Sequence, residues 1–309
     1  MKKLLVLFAC LALLLSMAAA AMAAIDVKGD FRYELIKNSD KDGESSVYDN
    51  ADLRLQFSGK ASETLEAYVQ VRAQSGDKPD KSNTSQNFYA DEYYFTFKQP
   101  FGTIKWGAFD YKVHPSRVLL KVCDNNIFVE RNPTMFTADI PLGDSGVYSG
   151  FGYVIDGTSS LVLLDDAYDF KLGYKTKLYG VEANYYETNA SKASAVDSLL
   201  ALDAWYQVTP TIKVFAFYSD PDYSETVKPF KAETALGVTW DKIGGSTLKA
   251  TYEYCVSGRE KSGVKWDKDP WALQLIYTFN NKFSFEYELQ NKVADGEKTE
   301  AILRSRVKF

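Results

Sequence analysis

The chain has 309 residues, a formal net charge of -5 and an aromatic content of 15%, with 21 Tyr and 19 Phe against a single histidine. A mildly acidic chain lacks the strongly basic face of a nucleic-acid-binding protein, so no nucleic-acid partner is expected. Histidine-dependent hydrolysis would have to use His114, which has no nucleophile pair near it in the sequence.

Residues 1–23 have the layout of a secretory signal peptide. Lys2 and Lys3 precede a long apolar run that ends in small residues, and an Ala-x-Ala sequence predicts cleavage after Ala23. The remainder, 24–309, has no apolar run of the roughly 20 residues that a spanning helix needs. We therefore expect an exported chain that forms one domain, because no linker-like stretch divides it.

The stretch 38–49 has the spacing of a calcium loop. Asp40, Asp42 and Asp49 fall at positions 3, 5 and 12, and Gly43 stands where such loops turn sharply. The final ligand is usually Glu, and the flanking residues resemble strands, so an ordinary acidic surface loop explains the stretch equally well. A cation site is one of two interpretations, and no other cofactor is expected.

Apolar and polar residues alternate with period 2 along most of the chain, which predicts strands with two different faces. These strands run roughly 9–11 residues, the length that crosses a bilayer when tilted. Their links alternate between short and long, with tight links that include 156–159 and an irregularity at 165–169. The pattern predicts an all-β, closed antiparallel transmembrane barrel of about sixteen strands, or fourteen if a boundary is misplaced, with short periplasmic turns and long outer loops.

The chain ends on an aromatic residue, and this residue and one internal stretch carry a family resemblance. Strand 300–309 is expected to pair with strand 25–37 and close the barrel, because unpaired edges are costly in lipid. Phe309 and the stretch "QPFGTIKWGAFD" resemble the Gram-negative outer-membrane porins. The resemblance implies that Phe309 is an insertion signal for the barrel-assembly machinery. It also implies an outer-membrane location, contact with outer-membrane lipids and a homotrimer.

In porins, the segment after this second stretch folds into the lumen and narrows it. The longest predicted loop here, 112–145, falls at the same place in the strand count and carries Asp124, Glu130 and Asp139. The resemblance therefore implies an inward constriction loop, whereas the residues alone also fit a loop on the surface.

Five arginines are predicted to face the lumen from neighbouring strands at the closing seam: Arg32, Arg54, Arg72, Arg304 and Arg306. If they form a basic wall opposite an acidic loop, they produce a field across a narrow aqueous pore. The alternative is that they form salt bridges with other wall residues. Aromatic side chains on the same face, such as Tyr148 and Trp205, either fill space near the rims or stack on solutes.

Two cysteines remain after signal removal, Cys123 in the long loop and Cys255 on the lumen side of a late strand. Export permits a disulfide, but the sequence does not say whether these two meet. The function that these features favour is a channel for passive diffusion of small hydrophilic solutes and ions, not an enzyme. The alternatives are a barrel enzyme of the lipase or protease kind and a plugged structural or adhesive barrel.

Overall fold

In the computed structural model the chain forms a closed antiparallel β-barrel of sixteen strands. The structure describes residues 25–39, 44–76, 87–112, 133–157, 165–188, 196–223, 232–257, 260–261, 264–265, 270–292 and 298–309. No helix in these ranges is long and apolar enough to cross a membrane. The all-β closed barrel and the count of sixteen are confirmed.

Eight of the barrel strands run in the direction of the first strand: β1 (Asp26–Ser39), β3 (Leu65–Gly76), β5 (Gly102–Ala108), β7 (Val147–Asp156), β9 (Tyr179–Glu187), β11 (Ile212–Tyr223), β13 (Leu248–Ser257) and β17 (Phe283–Lys292). The other eight run in the opposite direction: β2 (Ser45–Lys60), β4 (Asn87–Gln99), β6 (Thr134–Pro141), β8 (Tyr168–Lys175), β10 (Val196–Thr209), β12 (Glu233–Trp240), β16 (Trp271–Asn280) and β18 (Lys298–Lys308). Between β13 and β16, the short strands β14 (Glu260–Lys261) and β15 (Val264–Lys265) pair only with each other.

The connections alternate as predicted, but two of them lie elsewhere. The predicted loop 112–145 is wrong at its C-terminal part, because residues 134–141 form β6 and a tight turn at 142–146 follows. The predicted tight link at 156–159 is also wrong, since β7 and β8 pair directly and 157–167 is one connection at the opposite end. We call the end at which every connection has two to seven residues the short-turn end; the connections at the opposite end have five residues or more. In such barrels the short-turn end faces the periplasm.

Four of the seven short turns share a closing contact at the point where the strands stop. The side-chain oxygen of Ser62, Thr176, Thr209 or Asn280 accepts hydrogen bonds from the backbone N–H groups two and three residues later, at 2.9–3.3 Å. Such contacts replace the ladder bonds that a turning backbone loses. Exposed aromatic rings surround this end on the outer face: Phe101, Tyr179, Tyr206, Trp240, Phe279 and Phe309.

The registers place the alternating residues on two opposite faces. Leu55 lies opposite Gly29 and Val71, and its neighbour Gln56 lies opposite Lys28 and Gln70 on the other face. The same division continues around the barrel, so that the outer face is mainly aliphatic and aromatic, whereas the inner face carries charged side chains together with some aromatic ones. The predicted parity is thus confirmed, with the apolar face directed outward to lipid.

The barrel closes where the last strand meets the first. β1 and β18 pair from Asp30 with Lys308 to Ser39 with Thr299. Beyond that ladder, Phe309 accepts a bond from the Gly29 N–H at 2.7 Å and donates one to the Gly29 carbonyl at 3.0 Å. The Phe309 ring covers Gly29, where an added Cβ would come within 2.1 Å of the ring. Gly29 therefore leaves the space that the terminal ring occupies.

Replacing Phe309 with Asp is expected to lower the yield of folded barrel, because the change removes the ring that covers the seam and the insertion signal that the porin resemblance implies. Heat-modifiable migration on a gel measures the folded fraction. Phe309→Tyr keeps a ring and should assemble normally. An Asp variant that folds in wild-type yield would show that the terminal ring is dispensable.

Arginine at Leu275 is expected to destabilise the barrel by about 2–4 kcal/mol, whereas arginine at the adjacent Gln274 should cost little. Leu275 pairs with Ala250 and Tyr287 on the lipid face, and Gln274 pairs with Thr251 and Glu288 on the lumen face. Unfolding by urea in detergent or lipid measures the difference. Equal losses at both positions would mean that the two faces do not separate lipid from water.

Candidate functional site: the barrel lumen

On β2 and β3, one carboxylate holds two of the predicted lumen arginines. Asp52 accepts hydrogen bonds from Arg54 Nε at 3.0 Å and from Arg72 Nε and Nη2 at 2.7 and 3.0 Å. Arg54 and Arg72 lie directly opposite each other in the register. The Asp52 side chain is only 4% exposed, so the two guanidinium groups shield it from water. The arrangement is a charge-assisted network with one acid between two bases.

Across the seam, three carboxylates hold the remaining arginines. Asp30 accepts from Arg32 at 2.8 Å and from Arg306 at 2.5 Å. Arg304 contacts Glu34 Oε1 at 2.5 Å and Glu286 Oε2 at 2.7 Å. The pairing runs from β1 through β18 to β17, and with the Asp52 cluster it spans five neighbouring strands of the barrel.

The structure therefore places the five predicted arginines together on the inner face, as their parity indicates, but not as a bare basic wall. Each guanidinium is within 4 Å of a wall carboxylate, which matches the salt-bridge alternative. We call this set of arginines and carboxylates the arginine ladder. Its acidic members are Asp30, Glu34, Asp52 and Glu286.

The acidic members have a sequence signal that the arginines alone do not show. Asp30 stands two residues before Arg32, and Asp52 stands two residues before Arg54. Residues i and i+2 of a strand share a face, so each Asp-x-Arg sequence predicts an acid beside a base. The bonds from β18 to β1 and from β3 to β2 depend on register, which this signal does not give.

The predicted acidic residues of the long loop have different outcomes. Asp139 lies on β6 and not in a loop, and its Oδ1 accepts from Lys171 Nζ at 3.2 Å on β8. Asp124 and Glu130 lie outside the described residues, and so does Cys123. Cys255 is buried on the inner face of β13. Whether the two thiols form a disulfide stays a prediction.

The predicted cation site is divided between a strand and residues that the structure does not describe. Asp49 lies within β2, opposite Leu35, and accepts a hydrogen bond from Tyr33 at 3.2 Å. Asp40 and Asp42 lie outside the described residues. The described ranges contain no group of three or more metal-ligating side chains. A loop-bound calcium ion stays a prediction that depends on those two aspartates.

After β5 the chain leaves the wall and enters the lumen. Phe109 is buried against Tyr94, with ring centroids 5.8 Å apart. Two residues later, the Tyr111 hydroxyl donates to Asp169 Oδ2 on β8, although the next strand in the barrel after β5 is β6. Burial, Tyr186 and Asp169 raise the pKa of Tyr111 well above its ordinary value, so the phenol keeps its proton as a donor.

On the side of the barrel opposite β1, two aromatic rings lie flat against the wall over glycines of the adjacent strand. Tyr148 covers Gly173, and Trp205 covers Gly180, where an added Cβ would come within 2.3 and 2.5 Å of the respective rings. The register places each ring directly opposite its glycine. Because the residue opposite each ring is glycine, the rings lie along the wall and do not project into the lumen.

A closed sixteen-strand barrel with a charged inner face is the architecture of bacterial porins, and comparison with known proteins agrees. The sequence model of the family described as Gram-negative porin matches residues 9–302. The chain belongs to the Gram-negative porin family. No curated protein matches the chain in sequence.

Solved structures show the same fold at low sequence identity. A triple mutant of the Rhodopseudomonas blastica porin superposes with a TM-score of 0.65 at 13% identity, covering 93% of this chain and 100% of that chain. Another mutant of the same porin gives a TM-score of 0.64 at 12% identity with the same coverage. As a Gram-negative porin, this chain is an outer-membrane protein of the channel type, and the arginine ladder lines part of its inner wall.

Replacing Asp52 with Asn is expected to move the reversal potential of the channel toward anions, because it removes one negative charge and leaves Arg54 and Arg72 without their shared acid. Neutralising those two arginines together should shift it toward cations. Reversal potentials in a salt gradient measure both changes, and both should shrink as salt rises.

Asp26→Asn is the control for this experiment. It removes the same charge from an ion pair with Lys28 that is more than half exposed near the short-turn end. Water and salt screen such a charge, so its shift should be smaller. If Asp52→Asn shifts the potential no more than Asp26→Asn, the arginine ladder does not line the ion path.

Proposed function

We propose that this porin is a passive diffusion channel for small hydrophilic solutes and ions. The proposal is carried by the inner face, whose charged and hydrogen-bonding side chains continue around a closed ring of strands while the outer face is apolar. Such a lumen holds water, and solutes cross it without a chemical step. No cofactor is needed for this function.

We also propose that the segment after Tyr111 narrows the lumen. The bond from Tyr111 to Asp169 crosses the inner side of β6 and β7, so the described start of this connection already heads inward. Ala201, Ala235 and Ala272 face the lumen on the far strands and have no exposed surface, which supports an occupied lumen at their height. Size exclusion would then act at this segment, and charge selectivity at the arginine ladder.

The remaining partners follow from the family. We propose that a signal peptide at 1–23 directs export, that the barrel-assembly machinery inserts the chain by recognising Phe309, and that outer-membrane lipids surround the apolar face. We propose a homotrimer as the assembled state, which cross-linking of the detergent-purified protein would test. A product no larger than the single chain would contradict it.

Planar-bilayer recording of the purified protein tests the channel directly. We expect steady, ohmic steps of current in salt solutions. A plugged structural barrel would pass no steady current, so its absence would overturn the proposal. Liposome swelling with sugars of increasing size then measures the exclusion limit.

Neutralising Asp124 and Glu130 together is expected to move the reversal potential toward anions, because both lie in the segment proposed to enter the lumen. A matched pair, Asp165→Asn with Asp166→Asn, removes the same charge from a connection on the long-loop side of the barrel. We expect a smaller shift from the matched pair. Equal shifts would place Asp124 and Glu130 away from the narrow part of the pore.

A further inference from the structure

The inner wall opposite the arginine ladder carries a hollow that the ion pairs of the ladder do not explain. This hollow lies on β8–β11 near the short-turn end and has a volume of about 400 Å³. Lys175, Gly180, Trp205 and Lys213 are among the residues that line it. Gly180 and the flat position of the Trp205 ring create the space, since any side chain at 180 would displace the indole.

The register brings a ring and two ammonium groups together. Lys175 lies opposite Gly180, and Gly180 lies opposite Trp205, so these three form one row across β8, β9 and β10. On β11, Phe215 lies opposite Trp205, and Lys213 follows two residues away on the same face. Diagonal neighbours of this kind are roughly 7–8 Å apart, within reach of a lysine side chain. The register thus puts a lysine on each side of the indole, and the Lys213 ammonium group lies 5.9 Å from the centre of the Phe215 ring.

The lysines and the indole of this hollow have no acceptors among the described residues. No described carboxylate lies within ion-pair distance of the Lys175, Lys177 or Lys213 ammonium groups, and the Trp205 Nε1–H has no hydrogen-bond partner there. In the arginine ladder, by contrast, every guanidinium has a carboxylate. A wall of unmatched donors attracts a ligand that brings negative charge and acceptor oxygens.

The hollow also holds two acidic residues, Glu182 and Asp203, against three lysines, so its lining keeps an excess of one positive charge. Glu182 accepts from the Tyr148 hydroxyl at 2.5 Å and from Asn184 Nδ2 at 2.8 Å, so both of its oxygens are engaged by the wall. Asp203 is only 5% exposed and presents little surface to the lumen. The groups left to meet a solute are the lysines and the indole.

We propose that this hollow is a binding subsite for organic anions that carry a flat ring, such as aromatic carboxylates. The ring would stack on Trp205 while the carboxylate accepts from the lysines and from the indole N–H. The inference rests on the proposed function, since it gives the channel a preferred class of solute.

The test is competition in planar bilayers with the full-length protein in chloride salt. Benzoate carries both ring and charge, acetate carries the charge alone, and benzyl alcohol carries the ring alone. We expect benzoate to reduce the chloride current at concentrations about tenfold lower than acetate does, because a tenfold ratio corresponds to the free energy of one good aromatic contact. Benzyl alcohol should have no effect on the current. Equal potency of benzoate and acetate would overturn the subsite.

Variants separate the two contributions. Trp205→Ala should abolish the advantage of benzoate over acetate, whereas Tyr68→Ala, which removes a lumen ring stacked on Tyr94 at the other wall, should leave it unchanged. Lys213→Gln should weaken both anions, and Lys249→Gln, at a lysine 3.7 Å from Asp241, should weaken them less. The same effect from a variant and its control would contradict the assignment.

Gly180→Ala gives a second test that keeps the indole. The added Cβ would displace the ring from the wall, so the benzoate advantage should fall although no aromatic group is lost. Heat-modifiable migration first establishes that each variant is folded. A wild-type channel that conducts normally but does not distinguish benzoate from acetate rejects the subsite alone. A wild-type protein without steady current rejects the proposed channel.

Discussion

The structure depends on one constraint, which is that every backbone N–H and C=O group facing lipid must be paired within the chain. An unpaired group in hydrocarbon costs several kcal/mol, and an open sheet would leave two edges of them. The ladder between β1 and β18 removes both edges, and the two bonds between Gly29 and Phe309 continue it to the last residue. Closure fixes which strands are neighbours, and all other contacts follow from that order.

Closure also explains why the charges of the inner wall are compensated. Once the strands alternate between lipid and lumen, their polar side chains are confined to the inside of a narrow ring, with hydrocarbon behind them. Like charges at that spacing repel strongly, because the surrounding dielectric is low. Asp52, which contacts both Arg54 and Arg72, offsets the repulsion between these two arginines. The ladder can therefore shape a field and orient solutes without a large net charge.

Most of the architecture could be predicted from the sequence because its period of 2 needs no knowledge of the partner strands. Parity alone places Arg54 and Arg72 on the same face. β6 was missed because its sequence, TMFTADIP, ends in proline and follows a long stretch without sustained alternation, so the strand and the turn after it resemble one loop. The link predicted at 156–159 implied a further strand before 165–169, and this extra strand offset the missing β6 in the count of sixteen.

What could not be predicted depends on register. The bonds from Arg304 to Glu34 and Glu286 join residues that are far apart in the chain, and a shift by one residue would turn these side chains to the other face. The positions of Tyr148 over Gly173 and Trp205 over Gly180 have the same origin. Composition and spacing show that aromatic residues and glycines are present. Only the pairing of strands shows which aromatic residue lies opposite a glycine.

These glycines give the two sides of the lumen different characters. Around the seam, arginines and carboxylates fill the inner face and satisfy one another. On β8–β11 the flat rings leave space, and Lys175, Lys177 and Lys213 have no described carboxylate within ion-pair distance. In this part of the pore, the unfilled space and the lysines without a carboxylate partner thus lie on the same side. A solute with negative charge is drawn to the side that also has room for it, because every guanidinium of the ladder already has a carboxylate.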